Sequence, residues 1–111
     1  MFAALFEMTS WMGCQQYIFE GNTASDLLSK FERVQDLGCL VQMGRSHENK
    51  NGQKELDKLE AILDKYYDGS LTPEELLTLD VSISLGAIKC VCIEEGATAA
   101  DTLKAQYPNA R

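Results

Sequence analysis

Apolar residues recur at helical spacing in two segments of the chain. From Thr23 to Leu37 they share one face, and Gly38 would end the helix; the face consists of Leu27, Leu28, Phe31, Val34 and Leu37. From Gln53 to Tyr67 the same spacing relates Leu56, Leu59, Ile62, Leu63 and Tyr66. Each pattern predicts an amphipathic helix with one face on a core. The polar stretch GRSHENKNGQ between them has no apolar period and predicts a long loop.

A third helix start stands at Thr72. Thr72 is an N-cap candidate, Pro73 suits the first turn, and Glu75 completes a capping box. Beyond it the alternation of Val81, Ile83 and Leu85 favours a strand, but no Gly, Pro or Asn breaks the chain near Asp80. We therefore predict one long helix from Pro73 to about Glu94.

The first 20 residues offer the same choice between helix and strand. Ala4, Met8, Trp11 and Ile18 fall on one helical face, which predicts a helix from Phe2 to Phe19. The resulting fold class is mainly α-helical, a compact bundle of about five helices in one domain, residues 1–111. The alternative is an α+β fold with a small sheet from residues 14–20, 39–43 and 81–94.

The phrase EGNTASDLL, which begins at Glu20, returns almost unchanged as EGATAADTL from Glu95. Gly21 and Gly96 favour the end of an element in the left-handed conformation, and the Thr two residues later favours the N-cap of the next helix. The pattern predicts the same joint twice, from helix to helix. Strands running into the glycines, or a chance resemblance, are the alternatives.

Composition narrows the classes of partner. The 111 residues carry 17 acidic and 10 basic side chains, a net charge of −7, which disfavours direct binding to nucleic acid. Neither a basic signal-peptide region nor an uninterrupted membrane-length apolar stretch is seen, so we expect a cytoplasmic protein without a membrane segment.

Catalytic and metal-binding motifs are weak. Cys14, Cys39, Cys90, Cys92 and the single His47 lack the paired spacing of zinc modules, and a nucleophilic cysteine would need His47 as its base. We expect no cofactor, no metal and no enzymatic activity.

Two surface features suggest binding. An acidic stripe follows the second helix and its end, and a basic partner surface would suit it: Asp57, Glu60, Asp64 and Asp68. Aromatic residues crowd the N-terminus, where Phe2, Phe6 and Trp11 would form a dimer interface.

These features favour a small acidic module that binds another protein as an inhibitor or antagonist. Small acidic proteins of this kind include immunity proteins and phage-encoded antagonists of host defence. A homo-oligomeric structural subunit is the alternative, and a metal-binding protein or enzyme ranks third.

Overall fold

Two pairs of strands flank a run of helices, and one further helix follows the second pair in the described part of the chain. A computed structural model describes residues 1–47, 50–84 and 86–111. Along the chain it contains β1 (Phe2–Ser10), β2 (Gly13–Gly21), α1 (Ala24–Glu32), α2 (Leu37–His47), α3 (Lys50–Asp68), α4 (Pro73–Leu76), β3 (Asp80–Ile83), β4 (Gly86–Glu95) and α5 (Ala99–Gln106).

The four strands form one antiparallel sheet in the order β2-β1-β4-β3. An N-terminal and a C-terminal hairpin meet where β1 pairs with β4, and four helices lie between them in the chain. The fold is therefore α+β, and the prediction of a mainly helical bundle is wrong. The alternative was right in class: residues 14–20 lie in β2 and most of 81–94 in β3 and β4, whereas 39–43 lie in α2.

The N-terminal segment forms a hairpin in which β1 is buried on both faces. Residues 3–6 are fully buried. Ala4 and Phe6 belong to the larger core, and Ala3 belongs to a smaller cluster on the opposite side of the sheet. A strand covered on both sides is a continuous apolar run, so alternation is lost and a helix fits the sequence equally well. The prediction of a helix from Phe2 to Phe19 is therefore wrong, and the segment forms β1 and β2, which pair with each other.

Helices cover the two faces of the sheet unequally. The larger core joins residues of α1 to α4 to one face, and the Phe6 ring stacks on Phe31 of α1 with centroids 4.6 Å apart. On the other face α5 lays Ala99, Ala100 and Leu103 against Ala3. This arrangement leaves β2 and β3 as the two edges of the sheet.

The helix predicted over Thr23–Leu37 is two helices. α1 ends at Glu32, and α2 begins at Leu37, where the Asp36 carboxylate accepts the Cys39 N–H at 3.0 Å. α2 includes residues 39–43, which the alternative placed in a sheet, and the predicted polar loop is helical at residues 44–47 in α2 and 50–53 in α3. Of that loop, Glu48 and Asn49 lie outside the described residues. The helices approach closely at Gly44, where an added Cβ would meet Leu56 Cδ2 at 2.7 Å.

The capping box at Thr72 is confirmed, but the helix after it is one turn long. Thr72 accepts the Glu75 N–H at 3.2 Å, and Glu75 accepts the Thr72 N–H at 3.1 Å. The chain then turns into β3 without Gly or Pro. Pairing with β4 decides this: Leu79 accepts the Cys90 N–H at 2.9 Å, and Val81 faces Ile88. The long helix to Glu94 is therefore wrong.

The repeated phrase marks a joint from strand to helix in both copies. β2 ends at Gly21 and β4 ends next to Gly96, and α1 and α5 follow. Gly96 has φ +120°, whereas Gly21 is required because an added Cβ would lie 2.7 Å from Asp26 Cβ. Helices begin after Thr23 and Thr98 as predicted. The elements that end at the glycines are strands and not helices.

Candidate functional site at the hairpin tips

The acidic stripe is largely engaged within the chain. Arg45 of α2 donates to Asp57 at 2.7 Å and to Glu60 at 2.6 Å, and these two carboxylates raise the pKa of Arg45. Asp68 accepts the Ser70 N–H at 2.8 Å, and hydrogen bonds from the Ser70 side chain and from this N–H lower the pKa of Asp68. Asp64 is exposed on the same helix. Two of the four predicted partner-binding carboxylates therefore tie α2 to α3.

The three aromatic residues predicted at a dimer interface occupy different environments. Phe6 is fully buried between strand and helix and offers no surface to a partner. Phe2 is half-buried against the core. Trp11 is 92% exposed at the turn between β1 and β2, beside Met12, which is 74% exposed. Of the three, Trp11 is the residue that a partner can reach.

The two hairpin turns lie side by side at one end of the sheet. The end of β1 pairs with the start of β4, with Thr9 opposite Ala87. Gly86 makes this close approach feasible, because a Cβ there would lie 2.6 Å from the Thr9 carbonyl oxygen. A groove of about 490 Å³ separates the turns, and its lining includes Trp11, Ile83 and Ala87.

This end of the molecule carries no charged side chain on its strands. The segments 8–19 and 81–88, which hold both turns, contain no Asp, Glu, Lys or Arg, whereas 24% of the whole chain is charged. We define the tip surface as Thr9, Ser10, Trp11, Met12, Ile83 and Ala87. The two uncharged stretches were visible in the sequence, but their adjacency depends on the pairing of β1 with β4.

The cysteines are free thiols in unlike environments. Cys14 and Cys39 are exposed, and Cys90 is buried. Burial raises the pKa of Cys90 to about 12, and Cys92 adds to the shift, so the thiol is neutral and a poor nucleophile at physiological pH. Within residues 1–47, 50–84 and 86–111, no three His, Cys, Asp or Glu side chains converge as metal ligands.

Comparisons with known proteins assign no function to the chain. No protein-family model matches the chain, and neither a curated protein nor a solved structure matches it significantly. None of the helices in the described part of the chain is both long enough and apolar enough to span a membrane.

Proposed function

We propose that this protein is a small binding module that docks onto another protein through the tip surface and inhibits it. The observation that carries the proposal is the exposure of Trp11, which is 92% open to solvent at the turn between β1 and β2. Exposing a Trp and a Met together costs solubility, and both residue types are enriched in protein interfaces. The absence of charge around them suits the centre of an interface, where charged residues are depleted.

The net charge indicates which residues of the partner would surround the apolar contact site. At −7, the chain attracts a partner with basic residues around an apolar contact site. Such opposite charges would accelerate the encounter of the two proteins. Trp11, once buried against the partner, would slow dissociation of the complex. We place this interaction in the cytoplasm and assign it no catalytic step.

The test compares three immobilised proteins: the parent chain, the double variant Trp11→Ala/Met12→Ala, and Leu77→Ala as a matched control. Leu77 is 44% exposed and lies just after α4, away from the turns. Protein captured from a lysate of the native host is identified by mass spectrometry, purified and titrated against each variant. We expect the double variant to weaken binding about 30-fold, as loss of a 2 kcal/mol hot spot would, and Leu77→Ala to leave it unchanged.

Equal affinities for the parent and the double variant would rule out the tip surface as the docking site. Failure of the parent to capture any specific protein would count against a binding role. Raised salt should lower the association rate of the parent and the double variant by similar factors, because neither substitution changes a charge.

A further inference from the structure

The outer edge of β2 differs from the other edge of the sheet. At the β3 edge, the Ser82 N–H donates to the Glu55 carboxylate of α3 at 3.3 Å, so a side chain covers the strand. β2 is nine residues long, and its portion Gly13–Phe19 contains no charged residue and no Pro. Charges and Pro are the usual devices that keep an edge strand from pairing with another chain.

Arg111 already lies along the β2 edge and bonds to it through its backbone. The Arg111 N–H donates to the Gln16 carbonyl at 2.8 Å, and the Arg111 carbonyl accepts the Ile18 N–H at 3.0 Å. These are the two hydrogen bonds that a residue of an added parallel strand makes. At one end of the edge, the Lys30 ammonium donates to the Glu20 carbonyl. The outward backbone groups of β2 thus accept partners from outside the sheet.

We propose that the β2 edge is a self-association site, at which β2 of a second copy pairs antiparallel with β2 and displaces residues 109–111. Pairing centred on Tyr17 places Cys14 of each copy opposite Glu20 of the other, and Gln16 opposite Ile18. The two sheets then become one continuous sheet of eight strands. The C-terminal segment competes with the second copy for the same backbone groups.

The charge distribution favours a second copy as the occupant. Two chains of −7 repel one another wherever their acidic faces meet, but along Gly13–Phe19 neither brings a charged side chain to the contact. In the register centred on Tyr17, Glu20 faces an uncharged, exposed Cys14 and not another carboxylate. An antiparallel pair of identical strands is also self-complementary, as a twofold dimer requires.

The first test removes Asn109–Arg111. We expect the shortened chain to dimerise with a dissociation constant at least about tenfold lower than that of the full chain, measured by sedimentation across a hundredfold dilution. Circular dichroism and a cooperative urea transition establish that the shortened chain is folded. A folded, shortened chain that stays monomeric at every concentration overturns the proposal.

The second test does not depend on the deletion and reports the register. In the full chain at high concentration, Cys14→Glu would set two carboxylates opposite each other and weaken association, whereas Cys14→Lys would face Glu20 and strengthen it. Adding Glu20→Lys to Cys14→Glu should restore association. Equal association of the two Cys14 variants contradicts the proposed pairing, whether or not the shortened chain folds.

This inference stands apart from docking through the tip surface. Trp11→Ala should leave self-association unchanged, because the Tyr17-centred pairing does not use Trp11. Loss of self-association in Trp11→Ala would overturn the proposed pairing in favour of a dimer built on the tip surface.

Discussion

At the scale of single residues, the same amino acid serves different physical needs in matching places. Gly21 and Gly96 stand at equivalent points of the repeated phrase. Gly96 adopts φ +120°, which L side chains rarely adopt, and an added Cβ there would meet nothing within 4 Å. Gly21 has no positive φ, but its Cβ would collide with Asp26. One glycine is needed for its backbone conformation and the other for space.

Substitutions separate these two needs. Gly96→Ala should lower the free energy of unfolding by about 1–2 kcal/mol, the cost of a left-handed conformation. Gly21→Ala should destabilise as well, and Asp26→Gly should partly rescue it by removing the colliding atom. Gly38→Ala is the control: it lies in α2, an added Cβ makes ordinary contacts at 3.6 and 3.7 Å, and Ala suits a helix better.

Urea denaturation measures these four variants and a fifth, Gly96→Ala/Asp26→Gly. The comparison is informative because the two glycines share the same sequence context. Rescue of Gly96→Ala by Asp26→Gly, or a Gly21→Ala variant as stable as the parent, would contradict the assignment of these two causes.

Glu32 supplies a pH dependence at the same scale. Burial raises the pKa of Glu32, a hydrogen bond from Tyr66 lowers it, and the nearby Asp36 raises it. Because the net shift is upward, the folded state favours the protonated carboxyl. The stabilisation that Glu32 contributes is present in acid and is lost as the pH rises through the folded-state pKa.

Glu32→Gln should therefore be more stable than the parent chain at pH 7. The advantage should shrink as the pH falls through the raised folded-state pKa of Glu32 and vanish below the ordinary glutamate pKa, because the parent side chain is then neutral too. Urea midpoints at neutral and acidic pH give the measurement, and the exposed Glu95→Gln serves as the control. A parent chain more stable than Glu32→Gln at pH 7 would show that the Tyr66 hydrogen bond outweighs burial.

At the scale of elements, helix starts follow local chemistry, while strands follow pairing. Thr23 caps α1 by accepting the Asp26 N–H at 3.1 Å, and Thr72 caps α4 in the same way. Thr98 precedes α5 without a side-chain cap hydrogen bond. The same short motif thus produces a helix in both copies but a closed cap in only one of them.

Thr→Ala substitutions should show this difference. Thr23→Ala should lower the free energy of unfolding by roughly 0.5–2 kcal/mol, the usual cost of losing an N-cap. Thr98→Ala should stay within about 0.5 kcal/mol of the parent, as surface substitutions do. Thermal or urea unfolding measures both variants, and a larger loss at Thr98 would mean that its hydroxyl caps α5 in solution.

At the scale of the whole molecule, strand pairing determines which surfaces are available for contact with another molecule. Pairing of β1 with β4 sets the two uncharged turns beside each other, and it leaves β2 at the outer edge. The acidic stripe was the clearest surface feature of the sequence. In the structure, two of its four carboxylates form ion pairs with Arg45, which lies twelve residues before Asp57. Both proposed contact regions are poor in charge and lie on the strands or the turns between them.

The sequence by itself determined the features that depend on neighbours in the chain. The Thr72 capping box, the apolar faces of α1 and α3, and the helix starts after Thr23 and Thr98 rest on contacts within a few residues, so the sequence predicted them. The position of Trp11 did not follow: the sequence assigned it to a dimer interface on a predicted helix, whereas it lies at the turn between β1 and β2. Of the predicted surface residues, Trp11 remains in the proposed site and Phe6 is removed from it.

Only the tertiary structure decided between helix and strand at residues 2–20 and 80–95. β1 is apolar on two sides, since helices pack on one face of the sheet and α5 on the other, and burial on both sides removes the period that identifies a strand. In the second segment the alternation of Val81 and Ile83 was visible, but the chain enters β3 without a Gly or Pro to mark the break. Their conformation comes from hydrogen bonds between β1 and β4, which lie about 80 residues apart in the chain and whose pairing closes that long loop. No local pattern encodes such a pairing, and both proposed contact surfaces depend on it.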